Sequence, residues 1–335
     1  MIQLAQTCSM GSAHGKLILL GEHSVVYGMP AIAIPFTSLK VWATVEVIRG
    51  PLTFSCDYFQ GPLADVSMKM RGIATCITEA LTMLNQQQSG LLITIHSSIP
   101  IGRGLGSSAA IALAIVKSLF AFYKINLDHH TLMSLVHIAE TYAHGNPSGI
   151  DMYTASSAKP LWFQKGKPME ALHIARPLYI VVADTGRFGD THLAVSNVKK
   201  ALINHPKKTK ESLAQLEMLT HEVRFALAQG ERKRLGRLLD FAQAELTAIG
   251  VSDAGINHLI DAARNAGALG AKLTGGGLGG CVLALAESST HAKALANRLL
   301  TAGASNTWYF KLDAGNEGEI IDEGNRTSLY KYCTH

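Results

Sequence analysis

The feature that most constrains this chain is the run Pro100-Ile101-Gly102-Arg103-Gly104-Leu105-Gly106-Ser107-Ser108-Ala109-Ala110. Before it, Leu91 to His96 has the β-branched composition of a strand; after it, Ser108 to Tyr123 carries helical spacing. Glycines let a backbone approach a ligand closely, and a helix start offers free N–H groups and a positive dipole end. Together these hold phosphate. A tight turn that merely needs glycine is the plain alternative. Gly104-x-Gly106-x-x-Ala109, with Asp128 further on, also fits a dinucleotide-binding turn. That reading needs a second strand no longer than Lys124 to Leu127, and Pro100 interrupts the passage from strand to turn. Upstream, Gly11 to Leu17 imitates a P-loop, but Gly11 and Gly15 are one residue too close, and Leu17 stands where Ser or Thr would hold magnesium.

A second glycine-rich segment, Ala271 to Cys281, is expected to follow a helix and precedes the apolar run Val282 to Ala286. Two glycine loops so far apart point to a ligand held between domains. In a third element, His144-Gly145-Asn146-Pro147-Ser148-Gly149-Ile150-Asp151, glycine and proline end a helix and deliver a carboxylate into a loop, with Glu140 near the end of that helix.

At 335 residues the chain exceeds what one hydrophobic core usually serves. Its 47% hydrophobic and 16% charged residues and 31 glycines fit a compact enzyme and exclude a disordered chain. Further strands are expected at Val41 to Val47, Leu178 to Ala183 and around Trp308 to Leu312. Further helices are expected at Leu132 to His144, Glu211 to Gln229, Arg232 to Ala248 and Ala254 to Ala266. The character changes near residue 178, so domains of 1–178 and 179–335 are expected. The longest apolar run, Gly104 to Val116, is too short to span a membrane and holds Ser107 and Ser108; Leu17 to Leu20 is too short for a signal-peptide core. Five scattered cysteines without a Cys-x-x-Cys pair argue for reduced thiols, against a zinc site, and for the cytoplasm. The net charge of +5 is a mild field that suits anionic substrates, and the basic patch His205 to Lys210 reads as a solvated helix end rather than a nucleic-acid surface. The histidines, His129 and His130 included, gather no three metal ligands on one face.

Ala13-x-Gly15-Lys16 running into Gly21-Glu22-His23, then Pro100 to Ala110, then Lys272 to Cys281 resemble the three motifs of the GHMP kinases, in order and along nearly the whole chain. Within that superfamily, Gly21 to Gly28 and His144 to Asp151 are most similar to the mevalonate kinases. The resemblance implies an α+β fold with an N-terminal α/β domain, a ferredoxin-like C-terminal domain and the active site in the cleft. It implies phosphoryl transfer from ATP, with Mg²⁺, to the 5-hydroxyl of (R)-mevalonate, giving 5-phosphomevalonate and ADP, in a family whose members are commonly homodimers. Pro100, Gly102, Gly104, Leu105, Gly106, Ser107, Ser108 and Ala109 would cradle the nucleotide phosphates, and Ser108 with Glu140 would hold Mg²⁺. Asp151 would accept the hydroxyl proton beside Lys16, while Glu22, His23 and Thr185 would contact substrate. Two departures from the pattern stand out: His14 replaces a frequent proline and Leu278 replaces a glycine of the third motif. The rivals are another GHMP kinase acting on galactose, homoserine or 5-phosphomevalonate, and a non-catalytic binding protein on the same scaffold. A nicotinamide enzyme would leave two of the three motif regions unexplained.

Overall fold

The computed structural model describes residues 8–145 and 147–313, without the side chains of Ala143 and His144. Asn146 of the glycine-proline loop, the His144 side chain and Cys333 lie outside the described residues.

The first half of the chain runs β1 (Cys8–Leu20), β2 (Ala31–Pro51), β3 (Thr53–Cys56), β4 (Phe59–Pro62), α1 (Arg71–Met83), β5 (Ser89–Ser97), α2 (Ser107–Phe122), α3 (His129–His144), α4 (Ile150–Ser156), β6 (Leu161–Phe163) and β7 (Glu170–Ala171). Strands that are apolar at successive positions are buried on both faces. Leu17 and Leu19 of β1, and Ile32, Ile34 and Phe36 of β2, are accordingly all but inaccessible. β1 pairs antiparallel with most of β2, whose other edge takes β6 near its start and β5 along its second half. The sheet order is β4-β3-β5-β2-β6-β7, with β1 beside β2.

α2 is rich in alanine, and Ala109, Ala110, Ala112 and Ala114 are all fully buried. Small side chains let it lie close on β1: a Cβ on Gly11 would clash with the Ala114 carbonyl, and the Ser9 hydroxyl donates to the Ser118 carbonyl at 2.8 Å. Gly11 to Leu17 is therefore strand, not a phosphate loop. The dinucleotide reading also loses its parts, because Asp128 caps α3 by accepting from the Thr131 N–H and Lys124 to Leu127 forms no strand. α4 is seated by a small cluster of Ile18, Ala31, Ala33, Ile150 and Phe163, which fixes its first turn against β1.

The second half runs β8 (Leu178–Asp184), α5 (Thr191–Asn204), α6 (Pro206–Gln229), α7 (Arg232–Ala248), α8 (Ala254–Asn265), β9 (Gly270–Thr274), β10 (Cys281–Ala286), α9 (Ser289–Thr301) and β11 (Asn306–Leu312). Its strand order β11-β8-β10-β9, antiparallel throughout, is the ferredoxin-like arrangement. The second glycine-rich segment follows a helix, α8, as expected, and comprises most of β9 together with the turn of the β9–β10 hairpin. Lys207, Lys208 and Lys210 lie exposed on the first turns of α6, which opens with proline at its first position. No disulfide joins the described cysteines, and no helix among the described residues is long and apolar enough to cross a membrane.

Aromatic packing joins the halves: the Phe36 ring of β2 lies 5.1 Å from that of Phe310 and 6.2 Å from that of Trp308 on β11. Within the second half, α7 meets the start of β9 backbone to backbone. A Cβ on Gly236 would strike the Leu269 carbonyl, and one on Gly270 the Gly236 carbonyl.

Gly236→Ala is thus expected to destabilise, by about 2 kcal/mol or more, although alanine is favoured over glycine in a helix by about 1 kcal/mol. Urea unfolding of the two proteins decides the sign, and a stabilised variant would refute the close contact.

Candidate active site

Lys16 extends from β1, and its N–H donates to the Leu105 carbonyl at 2.9 Å, so the first glycine loop is hydrogen-bonded to the strand beside it. The lysine stem then passes over Gly106, where a Cβ would come within 2.8 Å of Lys16 Cγ. Gly106 also has φ +75°, so glycine is required there both for space and for conformation. Lys16 Nζ ends 3.0 Å from Asp151 Oδ1, with the lysine side chain 6% and the aspartate 29% exposed. Asp151 is the second residue of α4, which opens after Gly149 at φ +87°. The pair is therefore rigid on the lysine side and open on the carboxylate side.

The loop delivers its backbone to the N-terminus of α2, whose first-turn N–H groups have no intrahelical partners. Gly102 and Gly104 both have positive φ. A Cβ on Gly104 would lie 3.4 Å from Gly275, so the two glycine loops face each other without side chains between them. Leu105 and Ala109 are buried in the core and anchor this end of the loop, while Pro100 is half-buried at its entrance. The Ser107 hydroxyl is buried without a hydrogen-bond partner, the neighbouring Ser108 is half-buried, and Glu140 presents a buried carboxylate on α3. Hard oxygen donors of this kind suit Mg²⁺, which typically takes one or two carboxylates and completes its shell with substrate phosphates and water. No group of three or more His, Cys, Asp and Glu residues that could hold a metal occurs among the described residues.

The sequence reading passed over Arg103. Its Nε lies 2.8 and 2.9 Å from the two oxygens of Asp184, at the end of β8, and its guanidinium stacks 4.8 Å from the Phe188 ring. With the Gly189 N–H donating to the Gly102 carbonyl at 2.9 Å, this fastens the phosphate-type loop to the second half.

Glu22 and His23 lie just beyond β1, and both reach the second half. Glu22 forms a fully buried ion pair with Lys272 of β9, whose ammonium also donates to the Leu273 carbonyl at 2.6 Å. Burial pushes the Glu22 carboxyl up and the Lys272 ammonium down, and each opposes the other's shift as counter-charge. The second oxygen, Glu22 Oε2, is buried with no hydrogen-bond partner. Between these residues and Lys16, the Thr274 hydroxyl brackets Ile18, accepting from its N–H at 3.1 Å and donating to its carbonyl at 3.0 Å. His23 has φ +61°, and its Nε2 lies 2.9 Å from the Gly276 carbonyl; burial lowers its pKa to about 4, so the neutral ring donates this bond.

Thr185 donates both its hydroxyl, at 2.8 Å, and its N–H, at 2.9 Å, to the Gly280 carbonyl, pinning the base of the β9–β10 turn. Thr191, absent from the sequence reading, lies with its hydroxyl where a Cβ on Gly276 would be. The available signal was Asp190, which caps α5 immediately before it. The two departures are both accommodated. Leu278 adopts φ +51° and packs on the core, while its neighbours Gly277 and Gly279 sit where a Cβ would strike the Val251 and Phe188 carbonyls. His14 stands at a bulge in β1, its Nδ1 2.8 Å from the Gly15 carbonyl.

His23 is expected to make the fold acid-labile. Its pKa falls on folding, so its contribution is complete above the ordinary value near 6.5 and is lost as pH drops toward 4. Between pH 7 and 4 the wild type should lose about 3 kcal/mol through this residue, a loss that His23→Gln escapes. Equal acid sensitivity of the two proteins in urea unfolding would remove His23 as its source.

The sequence matches the GHMP kinases N terminal domain over residues 72–159 and the GHMP kinases C terminal domain over residues 225–305. It is 36% identical over 302 residues to the mevalonate kinase of Thermococcus sibiricus, covering 83% of this chain and 89% of that protein. The fold superposes on L. major mevalonate kinase, crystallised with R-mevalonate, with a TM-score of 0.82 at 26% identity, covering 94% of this chain and 99% of that one. Mevalonate kinase from Staphylococcus aureus matches with a TM-score of 0.70 at 31% identity, covering 92% and 100%. With the motifs, the paired sheets and these similarities in agreement, the chain belongs to the GHMP kinases.

Proposed function

We propose that this chain is an ATP-dependent mevalonate kinase, transferring the γ-phosphate of ATP to the 5-hydroxyl of (R)-mevalonate. The observation that carries the chemistry is the Lys16–Asp151 pair at 3.0 Å, set beside the glycine loop that Lys16 itself holds through Leu105. The substrate follows from the relatives, which are mevalonate kinases by name, one of them crystallised with R-mevalonate.

Phosphoryl transfer asks chiefly for positioning and for neutralisation of charge. The N–H groups of Gly104 to Ser108 bind the nucleotide phosphates at the start of α2. Asp151 accepts the proton of the 5-hydroxyl as its oxygen bonds to the γ-phosphorus and the bond to ADP breaks. Lys16 offsets the negative charge that develops on the transferring group. Ser108 and Glu140 would hold Mg²⁺, which would supply positive charge to offset that of the nucleotide phosphates. Glu22, through its second oxygen, and the neutral His23 line the alcohol side. Thr185 acts there through the turn it pins. The scarcity of further Lys or Arg around the motifs suits an alcohol with a single carboxylate. A reducing, cytoplasmic setting belongs to the same reading and suits five scattered cysteines without a Cys-x-x-Cys pair.

An ADP-release assay with ATP, Mg²⁺ and a panel of alcohols tests this reading. (R)-mevalonate should exceed galactose, homoserine and 5-phosphomevalonate in kcat/KM by at least about 10²-fold, because buried polar groups left unpaired penalise the wrong substrate. Comparable turnover of any of the three would overturn the substrate assignment. Asp151→Asn should lower kcat by about 10³-fold or more with nearly unchanged ATP affinity, and retention of a tenth of the activity would exclude Asp151 as the proton acceptor. Glu140→Gln should shift the Mg²⁺ titration to markedly higher concentrations, since a neutral amide replaces a carboxylate ligand; an unshifted titration would take Glu140 out of the metal site.

A further inference from the structure

Lys272 enters none of the roles above, yet it is among the largest fully buried side chains of the protein. A buried ammonium is costly unless it is paired and hydrogen-bonded. Here its partners are one oxygen of Glu22, on the segment after β1, and the carbonyl of Leu273 on its own strand. The other oxygen of Glu22 is left buried and unpartnered, although a carboxylate has acceptor sites to spare and an unmade hydrogen bond inside a protein is penalised. Apart from Lys272, the charge that bears on Glu22 is Lys16, whose ammonium is committed to Asp151. Glu22 thus has one oxygen fixed by the second half of the molecule and one unused, one turn of chain beyond the strand that carries Lys16.

We propose that Lys272 is a positioning residue for the reaction: by gripping one oxygen of Glu22 from the second half of the chain, it orients the other to accept a hydrogen bond from the substrate hydroxyl that is not phosphorylated. The inference rests on the mevalonate kinase reading and on Glu22 as a substrate contact. It adds that this contact depends on a residue that never touches the substrate. Thr274 and His23 support the same register. Along β9 and its turn, Lys272, Thr274 and Gly276 alternate in the sense that puts every second residue on one face, and each engages a different point of the segment from Ile18 to His23. A carboxylate held at one oxygen by a cross-domain ammonium is aimed, whereas one held by a solvated side chain is not. Discrimination for the hydroxyl should therefore collapse when the ammonium is removed, even where the folded enzyme still binds ATP.

The test compares (R)-mevalonate with 5-hydroxy-3-methylpentanoate, which keeps the carboxylate and the reacting 5-hydroxyl but lacks the 3-hydroxyl. In the wild type, loss of that hydroxyl should lower kcat/KM by about 10³-fold or more. In Lys272→Met the two substrates should come within about 10-fold of each other, with the KM for ATP nearly unchanged. The ratio is the informative quantity, because a smaller folded fraction lowers both rates equally and cancels. Lys272→Met leaves the Glu22 carboxylate without its counter-charge, so Lys272→Gln is measured beside it: its amide can still donate to Glu22 and should restore part of the discrimination. Wild-type discrimination retained in Lys272→Met, or no more discrimination in Lys272→Gln than in Lys272→Met, would overturn the inference while leaving the mevalonate kinase reading intact. Failure of the wild type to phosphorylate (R)-mevalonate would overturn both.

Discussion

One backbone hydrogen bond, from the Lys16 N–H to the Leu105 carbonyl, sets the geometry on which the rest of the site depends. It fixes the distance between a strand of the first sheet and the glycine loop at the head of α2. Everything that must pass through that gap is then constrained. The lysine stem crosses Gly106 because no other residue leaves room, and its ammonium arrives at Asp151 because Ile18 and Ile150 have already packed α4 onto the same strand. The charged pair is placed by apolar burial and glycine geometry; its own Coulombic attraction is the smaller part of the explanation.

The contacts between the halves follow a different logic. Buried ion pairs such as Glu22–Lys272 are weak sources of stability, since desolvation consumes most of the attraction. What they impose is register, because a buried charge tolerates no other neighbour. The apolar contact of Phe36 with Phe310 supplies adhesion, and the polar contacts at Ile18, Glu22, His23 and Arg103 select one alignment among those that adhesion alone would allow.

Much of this was legible in the sequence wherever glycine or strong periodicity did the specifying. The loop from Pro100 to Ala110 and the helices α2, α3, α6, α7 and α8 follow from local rules, whereas Asp151, expected in a loop, lies in the first turn of α4, which Gly149 opens. α1 escaped notice because threonines at 75, 78 and 82 dilute its pattern; in the fold their hydroxyls bond back to carbonyls of the preceding turn. β1 was concealed by Gly11 and Gly15, which read as loop and serve instead to let α2 and Leu105 approach. The pairings Arg103–Asp184 and Glu22–Lys272 join residues far apart in sequence and leave no local trace, so no periodicity or spacing announces them. Thr185 shows the limit from the other side. The turn Asp184-Thr185-Gly186 was recognisable, but that its hydroxyl would be used on Gly280 depended on where the β9–β10 turn came to rest.

The fastening of the first glycine loop to Asp184 and Gly189, together with the seam along β9, has a mechanical consequence. The halves are held at the loop, at the strand after Lys16 and at the Phe36 cluster, so neither can swing away from the other without breaking buried contacts. A molecule pinned in this way offers its ligands walls that already stand in place, and little of their binding energy is diverted to assembling the cleft. Entry and departure of ligands then call for movement of individual segments of chain rather than separation of the two sheets.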